Sequence, residues 1–125
     1  MLTILRVEPG KAPELGIISG DLESMQEVVG GSIQAIYPYE APIALVCHEE
    51  AKLIGLPLNR ALRDEDGKIY EIISGTYFLC GGPPEEENFT SLTEAQLEQY
   101  EALFHTPEVF IRMEGTLVCI PLLDQ

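Results

Sequence analysis

Basic residues are scarce in this chain: Lys and Arg number 7 against 21 Asp and Glu among 125 residues, a formal net charge of −14. So acidic a polymer is repelled by phosphate backbones unless it gathers its few cations into one patch, which argues against direct DNA or RNA binding. Cysteine is scarce as well. Cys47, Cys80 and Cys119 are odd in number, lie more than thirty residues apart and form no Cys-x-x-Cys pair, so neither a disulfide framework nor a zinc site is indicated. Each sits in an apolar, strand-like run, which predicts buried, reduced thiols.

Long hydrophobic runs are missing: no stretch of eighteen or more uncharged apolar residues occurs, and no membrane-spanning helix is expected. The first eight residues lack the basic start, long apolar stretch and cleavage site of a signal peptide, so a cytoplasmic location is expected. The glycine pairs Gly30-Gly31 and Gly81-Gly82 complete neither a dinucleotide fingerprint nor a Walker loop, and no serine stands in a nucleophile elbow. Nucleotide binding and serine hydrolysis are unsupported, and no cofactor is expected.

Apolar residues, by contrast, make up 46% of the chain, enough for a core, and the length suits one globular domain over residues 1–125. The pattern predicts an α+β fold: a single, mainly antiparallel sheet of about seven short strands with helices at about 21–29 and 92–104. Asp21 is the expected cap of the first helix and Gly30-Gly31 its end. Ser91 and Glu94 have the spacing of a capping box for the second, with Leu97, Tyr100, Leu103 and Phe104 as its apolar stripe. Residues 43–47 are apolar throughout and predict a strand covered on both faces. Residues 11–20 and 55–59 read as loops, and Glu114-Gly115 as the turn of a closing strand pair.

The stretch from Cys47 to Arg63 carries the most varied polar groups. His48 beside Glu49 and Glu50 could move protons or bind a metal, but position 52 is Lys where a zincin needs its second His. Asn59 and Arg60 follow. Residues 51–70 carry a net +1, whereas residues 85–125 hold nine acids against Arg112 alone, a net −8. The planar donor fork of Arg60 suits carboxylates or backbone carbonyls inside a fold, so Arg60 is expected to be at least half buried with a hydrogen-bonded partner. A ligand site built from His48, Glu49, Asn59 and Arg60 requires that these side chains converge on one pocket. Glu94, Glu98 and Glu101, spaced by four and three, form an acidic stripe and a candidate interaction surface.

Several segments together resemble a bacterial and phage family, domain of unknown function 3846: Glu8-Pro9-Gly10-Lys11, Val29-Gly30-Gly31-Ser32-Ile33, Leu56-Pro57-Leu58-Asn59-Arg60-Ala61-Leu62 and Ile72-Ile73-Ser74-Gly75-Thr76. The stretch from His48 to Leu53 looks like that family's usual Asn-Glu-Glu-Gly-Lys-Leu, with His48 in place of Asn and Ala51 in place of Gly. An Asn in relatives weighs against proton chemistry as the shared function. The resemblance implies a small accessory protein of Firmicutes mobile elements, conjugative or phage, and supplies no activity, cofactor or catalytic residue. The leading expectation is a non-enzymatic interaction module with an unidentified protein partner. One alternative is an acidic DNA mimic of the antirestriction kind; another is a small ligand-binding domain or enzyme using residues 48–60.

Overall fold

The structure, a computed structural model, describes residues 1–123, so the last two residues of the expected domain lie outside it. In chain order the elements are β1 (Leu2–Val7), β2 (Glu14–Ile18), α1 (Leu22–Val29), β3 (Ile33–Ile36), β4 (Ile43–His48), β5 (Leu58–Arg63), β6 (Ile69–Ser74), β7 (Tyr77–Gly81), α2 (Glu94–Phe104), β8 (Glu108–Met113) and β9 (Thr116–Pro121). The fold is α+β, but among the described residues the expected single sheet of about seven strands is replaced by nine strands in three sheets. Five make an antiparallel sheet in the order β2-β1-β7-β4-β3, while β5-β6 and β8-β9 are separate two-stranded hairpins.

Alternation along the strands sorts the core into two layers. Ile43, Leu45 and Cys47 of β4, Tyr77 and Leu79 of β7, and Leu5 and Val7 of β1 face the side closed by α2 and the β5-β6 hairpin. Ala44, Val46, Phe78, Cys80, Leu2 and Ile4 face α1, meeting Met25 and Val29. Residues 43–47 of β4 are all buried, as their unbroken apolar run predicts, and the strand's last residue, His48, is buried as well. The thiols of Cys47 and Cys80 lie in these layers, and burial raises both, that of Cys80 to about 12.

Helix α1 follows the expected plan: Asp21 accepts from the Ser24 amide and Gly30 closes the helix at φ 85°. Helix α2 begins two residues later than expected. Its capping box is formed by Thr93 and Gln96, while Ser91 Oγ instead accepts from the Thr3 amide at 2.8 Å and stitches the approach to α2 onto β1. Of its expected apolar stripe, Tyr100 and Phe104 are buried and Leu103 points outward. Among the described residues no helix is long and apolar enough to cross a membrane.

Candidate functional site

Strand β5 enters the interior with two polar side chains. Asn59 is 0% and Arg60 1% exposed. Asn59 Nδ2 donates to the carbonyls of Val7 at 2.9 Å and Gly75 at 2.8 Å, and its Oδ1 accepts from Arg60 Nη1 at 2.9 Å. Arg60 donates through Nε and Nη2 to Phe104 O, at 3.2 and 2.9 Å, and through Nη2 to Lys11 O at 2.6 Å. The fork thus satisfies a carbonyl that the end of α2 would otherwise leave orphaned, and ties it to the end of β1, the loop after it and the bend at Gly75. Burial draws the guanidinium below the ordinary arginine value, opposed by Tyr77 and Glu108 nearby. Arg60 is a tie at the centre of the fold.

Next to this tie, a cluster the sequence does not signal is built across the β8-β9 hairpin. Glu108 accepts from the Ala61 amide at 2.9 Å through Oε1, and from Arg63 Nη2 and Cys119 Sγ, each at 2.8 Å, through Oε2. Burial works against the Glu108 charge, but the three donors outweigh it and hold the carboxyl below the usual glutamate range. The Cys119 thiol is raised by burial and by donating to this carboxylate.

His48 ends β4, where alternation turns Cys47 toward the α2 side and His48 toward α1, so the neighbours cannot act as a thiol–imidazole pair. Its Nδ1 accepts from the Glu50 amide at 3.0 Å, which leaves the proton on Nε2. The ring fills the space where residue 31 has no side chain: a Cβ on Gly31 would lie 2.4 Å from Nε2. Gly31→Ala is therefore expected to destabilise the protein by about 1–3 kcal/mol. In a His48→Asn background the loss should shrink, a coupling that denaturant titration of the single and double variants measures.

His48 and Glu49 border one cleft of about 310 Å³, together with the ion pair of Lys52 and Glu71. Arg60 borders another, of about 320 Å³, with Arg63 and Glu108. The four residues 48, 49, 59 and 60 do not meet at one pocket.

The acidic stripe is better organised. Glu94, Glu98 and Glu101 line a single open groove of about 460 Å³ with Leu5, Pro13, Leu15 and Leu97. The register explains it. Leu15 pairs with Leu5 and Ile17 with Thr3, so both β2 side chains face the α2 side, but α2 packs on β1 and leaves the edge strand uncovered. Leu15 and Ile17 are each 59% exposed. Glu101 pairs with His105, whereas Glu94 and Glu98 are in no ion pair with a described residue. Five of the seven cations are engaged elsewhere: Arg6 on Glu14, Lys11 on Glu8, Lys52 on Glu71, Arg63 on Glu108, and Arg60 inside.

The sequence model of a family described as "Domain of unknown function (DUF3846)" matches residues 2–105. The chain belongs to that family. No curated protein and no solved structure matches it. The DUF3846 region takes in the five-stranded sheet, both helices, the Asn59–Arg60 tie, His48 and the acidic groove, while the β8-β9 hairpin lies beyond it. As the description says, no function is assigned to DUF3846 domains. Among the described residues of this one, no group of three or more His, Cys, Asp or Glu side chains could hold a metal ion.

Proposed function

We propose that the protein is a small, acidic, non-enzymatic interaction module of the cytoplasm, an accessory of a conjugative element or phage, that docks a basic protein partner in the groove between β2 and α2. One observation carries this reading. The carboxylates of Glu94, Glu98 and Glu101 stand along an open groove whose other walls are the apolar Leu15, Leu97 and Pro13. Such a surface complements a cationic amphipathic segment, with Lys or Arg toward α2 and aliphatic side chains toward β2. Most of the protein's own cations are already paired, so a partner must bring the positive charge.

The test compares the wild-type protein with the Glu94→Gln, Glu98→Gln, Glu101→Gln variant as immobilised bait for proteins of the native host. The reading predicts a basic protein held by the wild type, released by salt and lost by the variant. Equal retention by both baits would sink it. Adding duplex DNA separates the DNA-mimic alternative: competition by DNA for the same partner marks a DNA-binding protein whose site the carboxylates imitate.

A further inference from the structure

The connection between β3 and β4 and the turn after β7 enclose a further surface cleft, of about 610 Å³, bordered by Tyr37, Tyr39, Glu40, Gly82, Glu85 and Glu86. Its parts are set in place by the fold. Tyr39 is anchored on Tyr100 of α2, ring centroids 5.3 Å apart, while the Gly82 amide donates to Pro42 O at 2.8 Å and joins the two walls. Tyr37 packs against Gly82: a Cβ there would come within 3.0 Å of Tyr37 Cε1 and 3.1 Å of the Ala44 Cβ, so a side chain at 82 would press the ring outward. Tyr37 remains 59% exposed, its surface open to a ligand. Pro83 and Pro84 stiffen the turn that carries Glu85 and Glu86. Glu40, Glu85 and Glu86 are in no ion pair with a described residue.

Aromatic surface next to unneutralised carboxylates is the chemistry that recognises an organic cation. A guanidinium suits it better than an ammonium, because its plane stacks on a tyrosine ring while its donor fork meets a carboxylate bidentately. We propose that this cleft is a binding site for a guanidinium group, with Tyr37 as the stacking surface and Glu85 and Glu86 as the anionic wall. The site is separate from the β2–α2 groove and does not depend on it.

The experiment titrates the labelled protein with N-acetyl-arginine amide and follows amide NMR shifts. Saturable shifts at Tyr37, Gly82 and Glu85 are expected, and none from the neutral citrulline analogue. Tyr37→Ala should weaken binding about tenfold, Tyr37→Phe should hold it within about twofold, and Glu85→Gln with Glu86→Gln should weaken it about tenfold. Tyr37 and both glutamates are on the surface, and an unchanged amide spectrum elsewhere verifies folding. The Glu94→Gln, Glu98→Gln, Glu101→Gln variant should bind the amide as the wild type does. No saturable shift, equal binding of citrulline, tighter binding of tetramethylammonium than of the arginine amide, or indifference to Tyr37→Ala would overturn the proposal.

Discussion

Arg60→Met lowers the free energy of unfolding by about 3–5 kcal/mol in a denaturant titration. The methionine fills most of the space but donates nothing, so the carbonyl of Phe104 and the amide oxygen of Asn59 lose donors in the interior and the Lys11 carbonyl loses one nearer the surface. Each buried group left unsatisfied costs about 1–3 kcal/mol, and partial relaxation keeps the total below the sum. Arg60→Lys recovers only part of the loss, because one ammonium cannot reach the three acceptors that the planar fork holds together. Asn59→Ala strips the donors of Val7 O and Gly75 O and the acceptor of Arg60, so its cost overlaps that of Arg60→Met and the double variant falls short of additivity. A loss under about 1 kcal/mol for Arg60→Met would show that the tie is not what joins β1, Gly75 and α2.

Glu108→Ala has the next largest effect, about 2–4 kcal/mol at neutral pH, since it orphans the Ala61 amide and frees Arg63 and Cys119 at once. The pH dependence has a fixed sign. The folded carboxyl titrates below its unfolded value of about 4.3, so in that window the unfolded chain binds more protons and stability rises with pH. The contribution of Glu108 is complete above the unfolded value and disappears as pH falls through the folded one. Wild type and Glu108→Ala should therefore converge in stability as the solution is acidified below about pH 4. Glu71, lowered chiefly by its hydrogen bond from Lys52, acts in the same direction and persists in the variant. A stability gap that stays constant down to strong acid would contradict the role given to the carboxylate.

Elements whose burial shows as apolar pattern are legible in the sequence. Strand β4 is an unbroken apolar run, α1 has its aspartate cap and terminal glycine, and the β8-β9 hairpin has its Glu114-Gly115 turn, both residues at positive φ. Strand β2 hid because an edge strand with one side uncovered needs no alternation; Leu15 and Ile17 are exposed although every second residue faces the same side. Strand β5 hid for the opposite reason. It buries Asn59, which pattern reading assigns to a loop, beside Arg60, and only the hydrogen bonds explain the place of two polar side chains in a strand interior. The burial of Arg60 was nonetheless foreseeable from its chemistry, as a donor fork amid scarce cations. The groove was half visible: spacing aligned Glu94, Glu98 and Glu101, but its apolar wall comes from β2, about eighty residues earlier, and follows only from the sheet order. The Glu108 cluster unites β5, β8 and β9 across more than forty residues, a pairing no local pattern could announce.

The central claim, that the β2–α2 groove takes a cationic amphipathic segment, is tested most directly by one titration at several salt concentrations. The ligand is a peptide with Leu on one face and Lys on the other, read by amide shifts of the wild type and of the Glu94→Gln, Glu98→Gln, Glu101→Gln variant. The predicted result is shifts concentrated at Leu15, Ile17, Leu97 and Glu98, affinity that falls as salt rises, and a loss of about tenfold in the variant. Equal affinity of the two proteins, or shifts centred away from β2 and α2, would contradict it.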